Sequence, residues 1–357
     1  MKAWFFCPEN DMALADGGAR YTPPAGALAV GRAGRLLPML WADEDDMVIV
    51  PRCEWQGEAT VMSADRLRSL YGARGRVVCE AGLAEDADIM PWGWSPYTRT
   101  LLGETGISAE QMYDDMALER IRGLSHRRIS VRINSLMSES GISLPPIPVE
   151  VRTLDEVMTL SRDYARRGYR GVVVKLPWSC SSRGVVMGDC DRIAALTSQI
   201  EGMIRRQGSV MVEPWLERTA DFALLFESDG EGRVAYRAAS TFVTDSAGRY
   251  GGNVVAQQSV IAEMVGTLPG GLIQAAETAL SRTIGRDYRG WLGVDMMRYT
   301  YEGDERIAPC VEVNLRMTMG VAAYLTAERM YADGLLREGE RRLLNVTPAG
   351  INLTKIP

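Results

Sequence analysis

Two short stretches near the end of the chain place oxygen-bearing side chains at strand spacing: Gly293-Val294-Asp295, and Val311-Glu312-Val313-Asn314-Leu315-Arg316. Alternate residues of a strand project to one side. Glu312 and Asn314 therefore share a face, Arg316 continues it, and Val311, Val313 and Leu315 pack behind. An Asp on one strand beside a Glu and an Asn on its neighbour makes a donor set of two carboxylates and one amide. Mg²⁺ uses few carboxylates and completes its shell with phosphate oxygens and water, so the set suits a metal-bound nucleotide better than a bare ion.

Upstream, the β-branched run Val172-Val173-Val174 ends at Lys175 and is followed by Leu176, Pro177, Trp178 and a serine-rich loop before Gly184 and Val185. This reads as a buried strand, a small polar loop and a second strand. Backbone N–H groups and the hydroxyls of Ser181 and Ser182 can gather phosphate oxygens beside the Lys175 ammonium. The spacing is not that of a P-loop. A further strand, Val210-Met211-Val212, stops at Glu213-Pro214, because proline cannot donate to a central ladder. The exposed backbone through Leu216 can meet an adenine edge, and Asp221 can accept from ribose hydroxyls.

In this order the parts resemble the ATP-grasp superfamily of ligases, from about Ser125 to Gly320. The resemblance implies that Lys175, with Ser181, Ser182 and Gly184, holds nucleotide phosphates. By the same resemblance Glu213 and Leu216 form the adenine hinge and Asp221 takes the ribose. Asp295, Glu312 and Asn314 would ligate the metal, and Arg316 matches the Arg of Glu-x-Asn-x-Arg members. Members carry a phosphate-binding Lys upstream of a Gly-Ile-x-x-Pro turn. Gly141-Ile142-Ser143-Leu144-Pro145 is that turn here, but the preceding helix offers Arg127, Arg128 and Arg132, and Arg128 is taken as the stand-in. A guanidinium neutralises phosphate through a planar fork rather than as a point charge.

The implied cofactors are ATP and Mg²⁺, with Mn²⁺ as an alternative. The implied reaction joins a small-molecule carboxylate to an amine or thiol through an acyl phosphate, with Lys175 and Arg316 stabilising charge. The competing readings are a small-molecule kinase of the same fold and a regulatory module that binds nucleotide without turnover. The resemblance is compatible with a homodimer.

Composition agrees. With 357 residues and 46% hydrophobic content, the chain can bury several cores. The expected architecture is α/β (α+β): a small α/β domain over residues 1–124, then two ATP-grasp lobes over 125–212 and 213–357, with nucleotide between two antiparallel sheets. A formal net charge of −6 argues against general nucleic-acid binding. No apolar run approaches a membrane span or a signal segment, so a cytoplasmic protein is expected. The six cysteines are dispersed, which indicates neither a zinc knuckle nor a disulfide framework. His126 is the sole histidine and is read as a surface or phosphate-adjacent group.

In the first domain, strands are expected over 2–6, 47–51 and 77–80, with a helix near 31–41. The polar segment after the first strand would meet a ligand beyond a strand's carboxyl end, which marks Asn10, Asp11 and Arg20 as substrate candidates. Pro91-Trp92-Gly93-Trp94-Ser95-Pro96 reads as a compact turn whose two aromatics are either a core plug or a substrate wall, the core plug being favoured.

Overall fold

The structure, a computed structural model, describes residues 1–80, 86–179, 184–244 and 250–357. Chain order begins β1 (Lys2–Phe5), α1 (Asn10–Asp16), α2 (Ala25–Gly34), β2 (Met47–Ile49), α3 (Glu58–Tyr71), β3 (Arg76–Val78) and β4 (Asp88–Pro91). These four strands form a parallel sheet in the order β3-β2-β1-β4. Ala3, Trp4, Phe5, Val48 and Ile49 are all buried, as expected where a sheet is covered on both faces. The helix expected near 31–41 ends instead at Gly34, followed by a 3₁₀ turn at Leu37–Leu40, where Pro38 has no N–H to continue an α ladder. Strand β4 occupies what reads in sequence as the approach to a turn. The two tryptophans behind it are buried, Trp92 edge-on to Phe6 with centroids 4.7 Å apart.

Helices α4 (Pro96–Glu104), α5 (Asp115–Leu124) and α6 (Arg128–Glu139) lead to the next unit. It contains β5 (Val149–Val151), α7 (Leu154–Arg166), β6 (Gly171–Lys175), β7 (Val185–Asp189), α8 (Thr197–Gln207) and β8 (Val210–Pro214). Its antiparallel sheet runs β5-β8-β6-β7. Helix α7 starts at a reciprocal cap, with Thr153 accepting from the Glu156 N–H and the Glu156 carboxylate accepting from the Thr153 N–H. Its residues Val157 and Tyr164 join Val172, Val174, Ile200 and Val212 in a core separate from the rest of the molecule.

The remaining elements are β9 (Glu217–Asp229), β10 (Val234–Thr244), β11 (Tyr250–Val255), α9 (Gln258–Val265), α10 (Leu272–Ile284), β12 (Arg289–Tyr301), β13 (Asp304–Asn314), α11 (Met319–Ala332), β14 (Arg341–Thr347) and β15 (Gly350–Ile356). Seven of the strands form one antiparallel sheet, β13-β12-β9-β10-β11-β14-β15. Helix α6 packs on α10 and β13, and its row Ile129, Ile133 and Met137 belongs to the large core shared with the first sheet. Among the described residues no helix is long and apolar enough to cross a membrane.

Candidate active site

Three elements converge on one recess. Strand β13 lies antiparallel to β12 in a register that sets Asp295 opposite Glu312 and Gly293 opposite Asn314. The Asn314 amide donates to Asp295 Oδ2 at 3.1 Å, so the three residues expected to share a face do meet. Two carboxylates directly across a ladder repel each other. Burial first, and then the Glu312 charge, push the Asp295 carboxyl up to about 7. A divalent cation between them removes that conflict, and two carboxylates with one amide oxygen suit Mg²⁺. Among the described residues no group of three or more His, Cys, Asp and Glu side chains forms a denser metal cage.

Lys175 closes β6 on the facing sheet and is buried. Its ammonium pairs with Glu213 of β8, which the register places on the same face. The loop beyond is held at both ends. Leu176 N–H donates to Gly184 O at 2.8 Å, and the backbone of Trp178 is bracketed by the Gln207 side chain at 3.0 and 2.9 Å. Gly184 has φ +74, and a Cβ there would lie 2.5 Å from Leu176 Cδ1, so glycine is required. Ser181 and Ser182 lie outside the described residues.

Arg128 is exposed, and its neighbour Arg127 is the residue that reaches inward. Arg127 pairs with Glu312 at 2.8 Å, donates to Leu176 O at 3.1 Å and to Ser179 Oγ at 3.0 Å, and so ties the chain after β6 to strand β13. The sequence signal was present: the i, i+4 row Ile129, Ile133, Met137 turns Arg128 and Arg132 to solvent. His126 is buried rather than on the surface. Its Nδ1 accepts the Arg128 N–H at 3.0 Å, its Nε2 lies 3.6 Å from Glu150, and its ring meets Trp178 edge-on.

The first sheet contributes at its topological switch point, where β2 and β4 leave β1 on opposite sides. Just beyond β1, Asp11 receives Arg316 Nε at 2.6 and 2.8 Å and Nη2 at 2.5 Å. Arg316 Nη2 also donates to Asn314 Oδ1 at 2.9 Å. Asp11, Ser179, Glu312, Asn314 and Arg316 line one small recess with Trp178. Asn10 is not in it. That side chain is fully buried, accepts from Thr98 and abuts Gly93, while Arg20 is exposed.

Glu213 and Leu216 border a second recess with Pro145, Ile147, Met297 and Val311, an apolar slot between the two antiparallel sheets. It holds about 30 Å³ of free space, room for roughly one water. Asp221 lies on β9 opposite Met297 and pairs with Arg218 at 2.8 Å. Burial raises its carboxyl, and Arg218 opposes that rise.

A parallel α/β unit followed by two antiparallel sheets that enclose such a slot is the ATP-grasp fold. Biotin carboxylase from Campylobacter jejuni, solved as a β-γ-ATP complex, superposes with a TM-score of 0.52 at 12% identity over 96% of this chain and 75% of that one. Phosphoribosylamine–glycine ligase from Thermotoga maritima aligns at 0.49 and 11% identity over 96% and 80%. N5-carboxyaminoimidazole synthetase from Staphylococcus aureus aligns at 0.45 and 10% over 99% and 80%. No family model and no curated protein sequence matches the chain.

Proposed function

We propose that the protein is an ATP-dependent ligase that activates a small-molecule carboxylate as an acyl phosphate and passes the acyl group to an amine or thiol. The observation that carries this reading is the convergence of Arg127 and Arg316 on the acid–amide set, with Lys175 buried at the end of β6, each cation paired with an internal carboxylate. Such a site is charged for phosphate but balanced without it. The slot bordered by Leu216 and Met297, widened from its about 30 Å³ as the two antiparallel sheets part, takes the adenine, and Asp221 takes the ribose. Asp295, Glu312 and Asn314 would hold Mg²⁺, which would supply charge neutralisation for the nucleotide phosphates. Lys175 and Arg127 spread the charge of the phosphoryl group in transfer, the role of fixed cations in phosphoryl-transfer sites. Arg316 orients the acid that attacks. The chemistry needs positioning and charge, not a nucleophile on the protein.

The test is release of ADP and phosphate by the wild type and by Glu312→Gln, with Mg²⁺, across pools of carboxylates paired with amines and thiols. Stimulated release that falls by roughly 100-fold or more in the variant is expected, the scale of one lost charge-stabilising group. Hydroxylamine should trap the activated acid as a hydroxamate, which a kinase making a stable phosphate ester does not produce. Failure of the wild type to bind MgADP sinks the reading.

A further inference from the structure

We propose that Asp11 is an internal place-holder for the substrate carboxylate, seated on the edge of Arg316 that the substrate must take and displaced when it binds. The inference rests on the ligase reading above. A guanidinium presents five N–H donors in a rigid fork, and only an edge such as Nε/Nη2 grips two coplanar oxygens of one carboxylate. Asp11 occupies that edge with both its oxygens. Of the three N–H groups that remain, one on Nη2 points to Asn314 Oδ1 at 2.9 Å and one on Nη1 to Met317 O at 3.1 Å, which leaves no complete edge. Arg316 therefore grips both oxygens of an incoming acid only by exchanging Asp11 for it.

Two further observations favour exchange over simple addition. The recess shared by Asp11, Trp178, Ser179, Glu312 and Arg316 has about 20 Å³ of free space, too little for a carboxylate beside the one already there. It also holds Glu312, with Asp295 behind it. A second acid on Arg316 with Asp11 still in place puts two carboxylates on one guanidinium, and among the described residues lining the recess there is no other cationic side chain to match the second. Exchange needs no movement of the fold. Helix α1 is fastened from Arg122, whose Nε donates to Leu14 O at 2.8 Å and Nη2 to Ala15 O at 3.4 Å, so a change of Asp11 rotamer suffices. The Asp11 carboxylate carbon then marks where the activated acid's carbon sits. If Asp11 were a fixed orienting partner of Arg316, removing it would weaken binding of an acid; as a place-holder, its removal strengthens it.

The probe is acetate, titrated by saturation-transfer NMR into the full-length protein with MgADP bound. Asp11→Ala is expected to bind acetate at least tenfold more tightly than the wild type, and Asp11→Asn to shift the same way by less. The double variant Asp11→Ala/Arg316→Lys should lose the gain. MgADP affinity within about twofold of wild type shows that the Asp11 single variants are folded at the site, a cooperative thermal melt shows it for the double variant, and if Asp11→Ala fails its control, Asp11→Asn decides. Unchanged or weaker acetate binding in the folded variant, or a gain that survives in the double variant, overturns the proposal while leaving the ligase reading in place. Absence of MgADP binding by the wild type overturns both.

Discussion

His126 is the residue whose surroundings most change its meaning. A neutral imidazole accepts the first N–H of α6 and thereby sets Arg127, one residue earlier on the same turn. Burial first, and then the Arg128 charge, pull its pKa down to about 4 from 6.5. The sign follows: between pH 6.5 and 4 the unfolded chain binds the proton and the folded chain does not. Stability is full above that window and falls as the pH drops through it, by up to about 3 kcal/mol. Asp295, raised by burial, acts oppositely in the same range, so the measured quantity is the difference between wild type and His126→Asn in denaturant melts at pH 7, 5.5 and 4.5. The variant should show less acid loss and, because an amide oxygen can also cap α6, keep its MgADP affinity. An identical pH slope in both proteins would show that His126 does not titrate as argued. From sequence this histidine was legible only as unique; its burial came from Trp178 and Glu150, which are remote in the chain.

At the scale of elements, the strands with long β-branched runs were legible, and those with mixed edges were not. Val172–Lys175 and Val210–Val212 announce β6 and β8 by composition. Strands β14 and β15 alternate weakly, with one buried residue apiece, and β4 ends in a proline; these are formed by neighbours that offer ladders rather than by their own pattern. The loop between β6 and β7 is an element whose geometry one residue controls. Gly184→Ala combines a left-handed φ with a contact to Leu176, and should cost about 1–3 kcal/mol. Scanning calorimetry should record a lowered melting temperature, and MgADP should bind more weakly because the loop shifts against Lys175. If both are unchanged, the loop does not need that backbone conformation.

The molecule as a whole is two cores joined by few contacts. Residues 151–212 pack on themselves, whereas the first sheet and the large sheet share one core. The smaller unit is fastened through Arg127, through Trp178 Nε1 donating to Arg122 O at 2.9 Å, and through Tyr169 stacked on Tyr301 with centroids 5.2 Å apart. Hydrogen exchange should therefore find the amides of α7, α8 and β6–β8 opening at lower free energy than those of β9 and β12, with MgADP selectively slowing the former. Uniform protection across both cores would contradict that division. The sequence alone determined which side chains share a strand face, because a period of two needs no partner to act; the acids, the amide and Lys175 follow from it. The order of those parts was enough to suggest the fold. Only the tertiary structure decided the charge pairs: Arg127 over Arg128, Lys175 with Glu213, and Arg316 with an aspartate 305 residues away. Periodicity aims a side chain from its own element. What it meets depends on distances between elements, which packing of the two cores sets and no local pattern records.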